Sequence, residues 1–191
     1  MPRPSMLAQK RTALLPVVAR AFSELGYRRA TTATLARRCG VRENILYRLW
    51  PDKKAMFIAA IGHVHDLALR VWREQGTRPG GAFSPAAVLA YESEHLGEFG
   101  NHRILFAGFS ETDDPDIRAA LRRLYRDFHE FIRRRLRAGG RRAIDPALAA
   151  WAIIGLGTMA TMGREMRLMA PRARKRLLKD IGGRLAGVRT P

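Results

Sequence analysis

The sequence predicts an all-α protein: an N-terminal three-helix helix-turn-helix domain and a C-terminal helical bundle, about nine helices in all. Three observations predict it. Apolar residues recur every three or four positions almost everywhere, and no stretch alternates as a half-buried strand does. Helix ends are punctuated by Ser, Thr and Asp caps, first-turn prolines and terminal glycines. Residues 31–50, TTATLARRCGVRENILYRLW, spell two short helices around a tight turn.

The first helix is expected from about Ala13 to Leu25. Leu14, Val18, Ala21, Phe22 and Leu25 share one face, and Gly26 ends it. Pro16 fits if that helix starts near Thr12, because proline is tolerated in a first turn; otherwise it kinks the helix. Thr31 or Thr32 caps a short helix through Cys39 with Leu35 and Ala36 inward, and Gly40 breaks it. A second short helix covers about Arg42 to Trp50, and Pro51 stops it. Asp52 caps a long helix to about Trp72, with Met56, Phe57, Ala60, Ile61, Val64, Ala68 and Val71 as its apolar positions.

Residues 76–83, GTRPGGAF, read as a loop. Ser84-Pro85 then caps a helix with Val88, Tyr91, His95 and Phe99 on one stripe. A short helix follows near His102 to Phe109. Asp113, Asp114 and Pro115 open a long amphipathic helix to about Arg137, with Ile117, Leu121, Leu124, Phe128, Phe131, Ile132 and Leu136 as its stripe. Gly139-Gly140 ends it. Asp145-Pro146 starts a helix that carries no charge through Gly163, and Pro171 separates that from a basic last helix, about Arg172 to Leu185. The expected domains are 1–57 and 58–191.

Charge points to polyanions. Lys and Arg total 35 against 17 acids, a net charge of +18, which favours DNA, RNA or an anionic membrane surface. Only five of the basic residues are Lys, and so heavy an Arg bias also reflects coding composition, so charge supports the reading without proving it. Cys39 is the only cysteine, which excludes an intrachain disulfide and a cysteine zinc site. The basic N-terminus has no apolar run behind it and is not a signal peptide. Pro146 to Gly163 is 18 residues long, the bottom of the membrane-spanning range, but its glycines, threonines and Arg-rich flanks suit a buried interface helix better. His63 and His65 are two apart, so on a helix they diverge; no metal site is expected. Glu92, Glu94 and Glu98 come with no readable nucleophile and base, so no enzyme is expected and no cofactor is implied.

Residues 31–50 carry the function. Ala36 is small where the two helices must cross, and Val41 and Leu46 plug the space between them. From Leu14 to Phe57 the chain resembles the DNA-binding domain of TetR-type repressors. The matching positions are Phe22, Gly26, Tyr27, Thr31, Leu35, Ala36, Gly40, Val41, Leu46, Tyr47, Lys53 and Phe57. Trp50 stands where the family usually has Phe, Cys39 where it has Ala, and Met56 where it has Leu. The resemblance implies phosphate contacts from Thr31, Tyr47 and Lys53, which position without reading sequence. Arg42 stands where the family usually has Ser: a helix cap is lost and a cation gained. Asn44 can pair bidentately with adenine, and Arg48 or Arg42 with guanine. Tyr47 is alternatively a core ring with a wet hydroxyl. Glu43 fits a solvated helix start better than a cytosine reader, and Cys39 fits a small core residue. Arg3, Lys10 and Arg11 form either a minor-groove arm or a disordered tail.

The second half is expected to hold a small molecule and a dimer interface. Trp72, Tyr91, His95, Phe99, Phe106, Phe109 and Met159 are the pocket candidates, each alternatively ordinary core. By resemblance, the last two helices dimerise; Ala149, Ala152, Ile153, Leu156 and Ala160 offer a small apolar face, and Trp151 is the residue to turn into its own subunit. One helix-turn-helix reads too few bases, and a two-fold dimer reads a palindrome. The expectation is a cytoplasmic homodimeric repressor of palindromic operators, released by an unknown small-molecule effector. The rival is a nonspecific polyanion-binding or scaffold helical protein without ligand response.

Overall fold

The computed structural model describes residues 5–77, 83–95, 102–138 and 144–187. Among them the chain is all-α: α1 (Met6–Arg29), α2 (Thr32–Arg38), α3 (Glu43–Leu49), α4 (Lys53–Gly76), α5 (Pro85–His95), α6 (His102–Phe109), α7 (Pro115–Ala138) and α8 (Pro146–Glu165). The last helical stretch is α9 (Pro171–Arg176), a π-helical turn over Leu177–Ile181, and α10 (Gly182–Leu185). Phe99, Arg3 and Gly139-Gly140 lie outside the described residues.

The cap chemistry sets the starts. Asp52 Oδ1 accepts from Ala55 N at 2.7 Å, Ser84 Oγ from Ala87 N at 3.3 Å, and Asp145 Oδ1 from Ala147 N at 2.8 Å. Asp114 caps α7 through Asp116 N and Ile117 N. One start differs from expectation. Helix α1 begins at Met6, capped by Ser5, so Pro16 lies in its interior rather than in its first turn. The added turns, MLAQKRT, are mostly good helix formers but exposed, so no apolar stripe marks them. Because Thr12 and Pro16 are also exposed, the carbonyl that proline leaves without a partner can face water. The helical path breaks at Gly26, whose φ is 74°.

Two compact units divide the chain, each described by itself. The first takes residues 1–67 and 100–124. Its core holds Val18, Phe22, Leu35, Leu46, Trp50, Met56, Phe57, Ile61, Ile104, Ile117 and Leu121, all buried. Phe57 is its hub: the Phe22 ring meets it edge-on at 4.9 Å and the Tyr27 ring lies at 4.8 Å. Helix α6 packs along α1. Ion pairs close the surface: Arg28 with Glu111 at 2.8 Å, and Lys54 with Asp116 at 2.6 Å and Asp114 at 3.2 Å.

The second unit takes residues 68–99 and 125–191. Leu89, Ile132, Leu136, Ala149, Ala150 and Ala186 form its main core, and Ala160 with Leu178 a smaller one. On α5 the inward residues are Leu89 and Ser93, while Val88, Tyr91 and His95 are half-buried.

That packing corrects the dimer face drawn from sequence. Ala149 and Ala160 belong to their own subunit's core, Ile153 packs against the main cluster and Leu156 against the smaller one. Of that face Ala152 alone is exposed, and it shares its exposed stripe with Leu148, Trp151, Gly155, Met159 and Met162, continued by Met166 just past the helix end. Trp151 is 47% exposed and stacks on His129 at 4.5 Å instead of turning into the core. Composition alone could not choose the face, because α8 is apolar nearly all round. By length and composition α8 is long and apolar enough to cross a membrane.

Candidate nucleic-acid interface

The interface is built by α2 and α3. Thr31 Oγ1 accepts from Thr34 N at 3.2 Å and starts α2. Leu35 and Ala36 face inward, and Val41 N donates to Ala36 O at 3.0 Å across the turn. Gly40 sits in that turn with φ 64°, a left-handed conformation that side-chain-bearing residues adopt at a cost. Helix α3 then buries Leu46 and Leu49 and leaves its other face in solvent.

That free face carries the polar residues singled out by sequence. Arg42, Glu43, Asn44, Tyr47 and Arg48 are all exposed, Tyr47 by 49%. Tyr47 is therefore a surface ring and not a core one. Arg42 is the N-cap of α3 and makes no side-chain cap bond, so the cap lost with serine is not replaced. Its guanidinium, with those of Arg37 and Arg48, has no carboxylate partner among the described residues. Arg38 differs, being paired with Glu24; that hydrogen bond holds the Glu24 carboxyl below its usual range. The outer face of α2 and α3 thus carries three cations without an ion-pair partner among the described residues, Arg37, Arg42 and Arg48, against the one carboxylate of Glu43, an excess that favours counterion release on a phosphate backbone.

All three implied phosphate contacts have partners inside the protein. Thr31 is engaged as the α2 cap. The hydroxyl that meets Tyr47 is Thr32, at 3.2 Å, which sequence reading treated only as an alternative cap. Lys53 Nζ donates to Tyr27 O at 3.1 Å and lies 4.4 Å over the Tyr27 ring. It therefore ties the start of α4 to the end of α1. Arg11, 5.5 Å over the Trp50 ring, is exposed on α1; the early start of that helix puts it on regular structure.

Trp50 and Cys39 depart from the family pattern. The Trp50 indole is buried and its N–H has no hydrogen-bond partner among the described residues. Leaving such a donor unpaired costs about 1–3 kcal/mol. Trp50→Phe removes the donor along with some packing, so the two effects oppose. Urea denaturation is expected to move by less than about 1 kcal/mol, against about 3–5 kcal/mol for Trp50→Ala. Burial pushes the Cys39 thiol up, away from thiolate reactivity.

The pocket candidates are divided between the units: Phe106 and Phe109 belong to the first, while in the second Met159 is on the exposed face of α8 and Tyr91 stacks on His95 at 4.2 Å. Of the described candidates, only Trp72 lines the cavity inside the second unit. That cavity is walled by Phe83, Val88, Leu89, Phe131, Arg135 and Ile153 among others. Aromatic content selected the candidates, but pocket and core use the same residue types. No group of three or more metal-ligating side chains occurs among the described residues.

Comparison with known proteins bears on both halves. Residues 15–60 match the model of bacterial regulatory proteins of the tetR family, overlapping the segment from Leu14 to Phe57 that carries the resemblance. The nucleoid occlusion factor SlmA of Haemophilus influenzae is 49% identical over 47 residues, 25% of this chain and 22% of that protein. The match thus spans about a fifth of the curated relative. Over the whole chain the fold is shared with solved structures. A TetR-family transcriptional regulator from Cytophaga hutchinsonii superposes with a TM-score of 0.80 at 15% identity, covering 100% of both chains. One from Agrobacterium tumefaciens gives 0.76 at 13% identity, covering 93% of this chain and 98% of that one.

Proposed function

We propose, from a chain whose residues 15–60 match the tetR-family model, that this protein is a sequence-specific DNA-binding transcriptional regulator. In this reading it is a cytoplasmic homodimer that represses from a palindromic operator and is released by a small molecule. The observation that carries the reading is the exposed polar face of α3, where Arg42 and Arg48 outweigh Glu43, braced from behind by the buried Leu46 and Leu49. Such a helix enters the major groove with its N-terminal residues foremost. Arg42, Asn44 and Arg48 then reach base edges or phosphates, while Thr31, Thr32 and Tyr47 hold the backbone. Lys53 supports the domain and has donors left for a phosphate.

A randomised-site selection tests base reading. Asn44→Ala is expected to relax preference at one base pair per half-site, at a cost of about 1–3 kcal/mol. The same consensus from both proteins would remove Asn44 as a reader. Arg42→Ala is expected to weaken all DNA sequences alike and lower the salt slope by about 1. An unchanged slope would take Arg42 off the phosphates.

A further inference from the structure

The cavity of the second unit carries a chemistry of its own. Its floor is Leu89, Ile132, Leu136 and Ala186, all buried, and its rim Trp72, Phe83, Val88, Phe131 and Ile153, all half-buried. It encloses about 50 Å³, room for a compact hydrocarbon group of a few carbons. The wall is built, not incidental. Ser84 N donates to Gly76 O at 2.7 Å, and the Thr77–Phe83 bridge returns the chain so that the Phe83 ring lies against Gly76. A Cβ at position 76 would fall 2.2 Å from that ring, so only glycine lets it settle there. Trp72 Nε1 donates to Glu92 at 2.6 Å, which directs that N–H to the carboxylate and fixes the indole.

One charged side chain lines this apolar space. The Arg135 guanidinium lies 4.8 Å from the Phe83 ring centre and 4.6 Å from that of Phe131. Arg73 approaches the same Phe131 ring at 5.9 Å. Neither arginine has a carboxylate partner among the described residues, although neighbouring Arg133 and Arg134 share Glu130. Two ring faces orient Arg135 but leave its in-plane N–H donors unanswered. No carboxylate lines the cavity.

We propose that this cavity binds a small amphipathic carboxylate, its compact apolar body against Leu89, Ile132 and Leu136 and its carboxylate on Arg135. The planar guanidinium fork suits a carboxylate bidentately, and the low-dielectric surroundings strengthen the pair. Arg73 adds a second positive charge at the Phe131 side. The inference rests on reading the second unit as the effector-binding part and names the effector's class.

Calorimetry on the full-length protein without DNA tests it, with butyrate and isobutyrate against isobutanol and isobutylamine. The carboxylates are expected to bind roughly 10- to 100-fold more tightly than the alcohol or the amine. Arg135→Gln should remove that preference while circular dichroism stays unchanged. Ile153→Trp, which fills the cavity and keeps Arg135, should also abolish binding. Preference for the amine, equal carboxylate binding by Arg135→Gln, or no binding by either carboxylate would overturn the proposal. Operator affinity measured with isobutyrate is a separate arm: carboxylate binding that leaves it unchanged keeps the site and refutes ligand release.

Discussion

Met159→Glu is expected to turn a dimer into monomers. Helix α8 leaves Leu148, Trp151, Met159 and Met166 in solvent, Leu148 by 67% and Met166 by 60%, with Ala152 and Gly155 between them. Contiguous apolar surface of this kind marks an interaction site, and the small residues allow close helix approach. In the proposed two-fold dimer this stripe faces its copy, so one glutamate per chain places two unpaired carboxylates at the interface. An unpaired buried charge costs about 3–5 kcal/mol, roughly 150- to 5,000-fold in association. Sizing chromatography at micromolar concentration is expected to show monomers with unchanged helicity. Half-site DNA binding should survive and full-operator binding collapse. A Met159→Glu protein that stays dimeric moves the interface off this face.

Phe57→Ala is expected to unfold the first unit. Its ring is fully buried and touches both Phe22 and Tyr27. Removing it leaves a cavity among rigid rings, with a typical cost of about 3–5 kcal/mol. Because the same cluster joins α1 to α4 behind the helix-turn-helix, DNA binding should be lost with it. Urea denaturation checks the cost, and a loss below about 1 kcal/mol would mean Phe57 is not the hub of this core.

The two predictions differ in how legible their residues were. Phe57 could be read from sequence because burial on an amphipathic helix leaves a 3.6-residue stripe, and its spacing to Gly26 and Gly40 matched a domain pattern. The same logic placed α6 and α7 within a residue or so of their bounds and exposed Asn44 and Arg48 on α3. It failed where periodicity carries no signal. The first turns of α1 bury nothing, so they were missed. Helix α8 is apolar nearly all round, so Ala149 and Ala160 were assigned to a partner although they fill their own core. Arg135 was hidden for another reason: on sequence it is one arginine in the run Arg133-Arg134-Arg135, and only packing shows that it alone turns onto Phe83 and Phe131. Likewise, the resemblance gives Lys53 only as a phosphate contact, and nothing in its spacing shows that its ammonium sits on the Tyr27 carbonyl.

Sequence-specific DNA binding is the claim on which the rest depends. The direct measurement is fluorescence anisotropy at about 0.15 M salt, comparing the palindrome recovered by site selection with a scrambled duplex of equal length. The account predicts at least about a thousandfold preference for the palindrome, with two subunits bound per duplex. Equal affinity for both duplexes, with the same salt slope, would contradict it and leave a nonspecific polyanion binder.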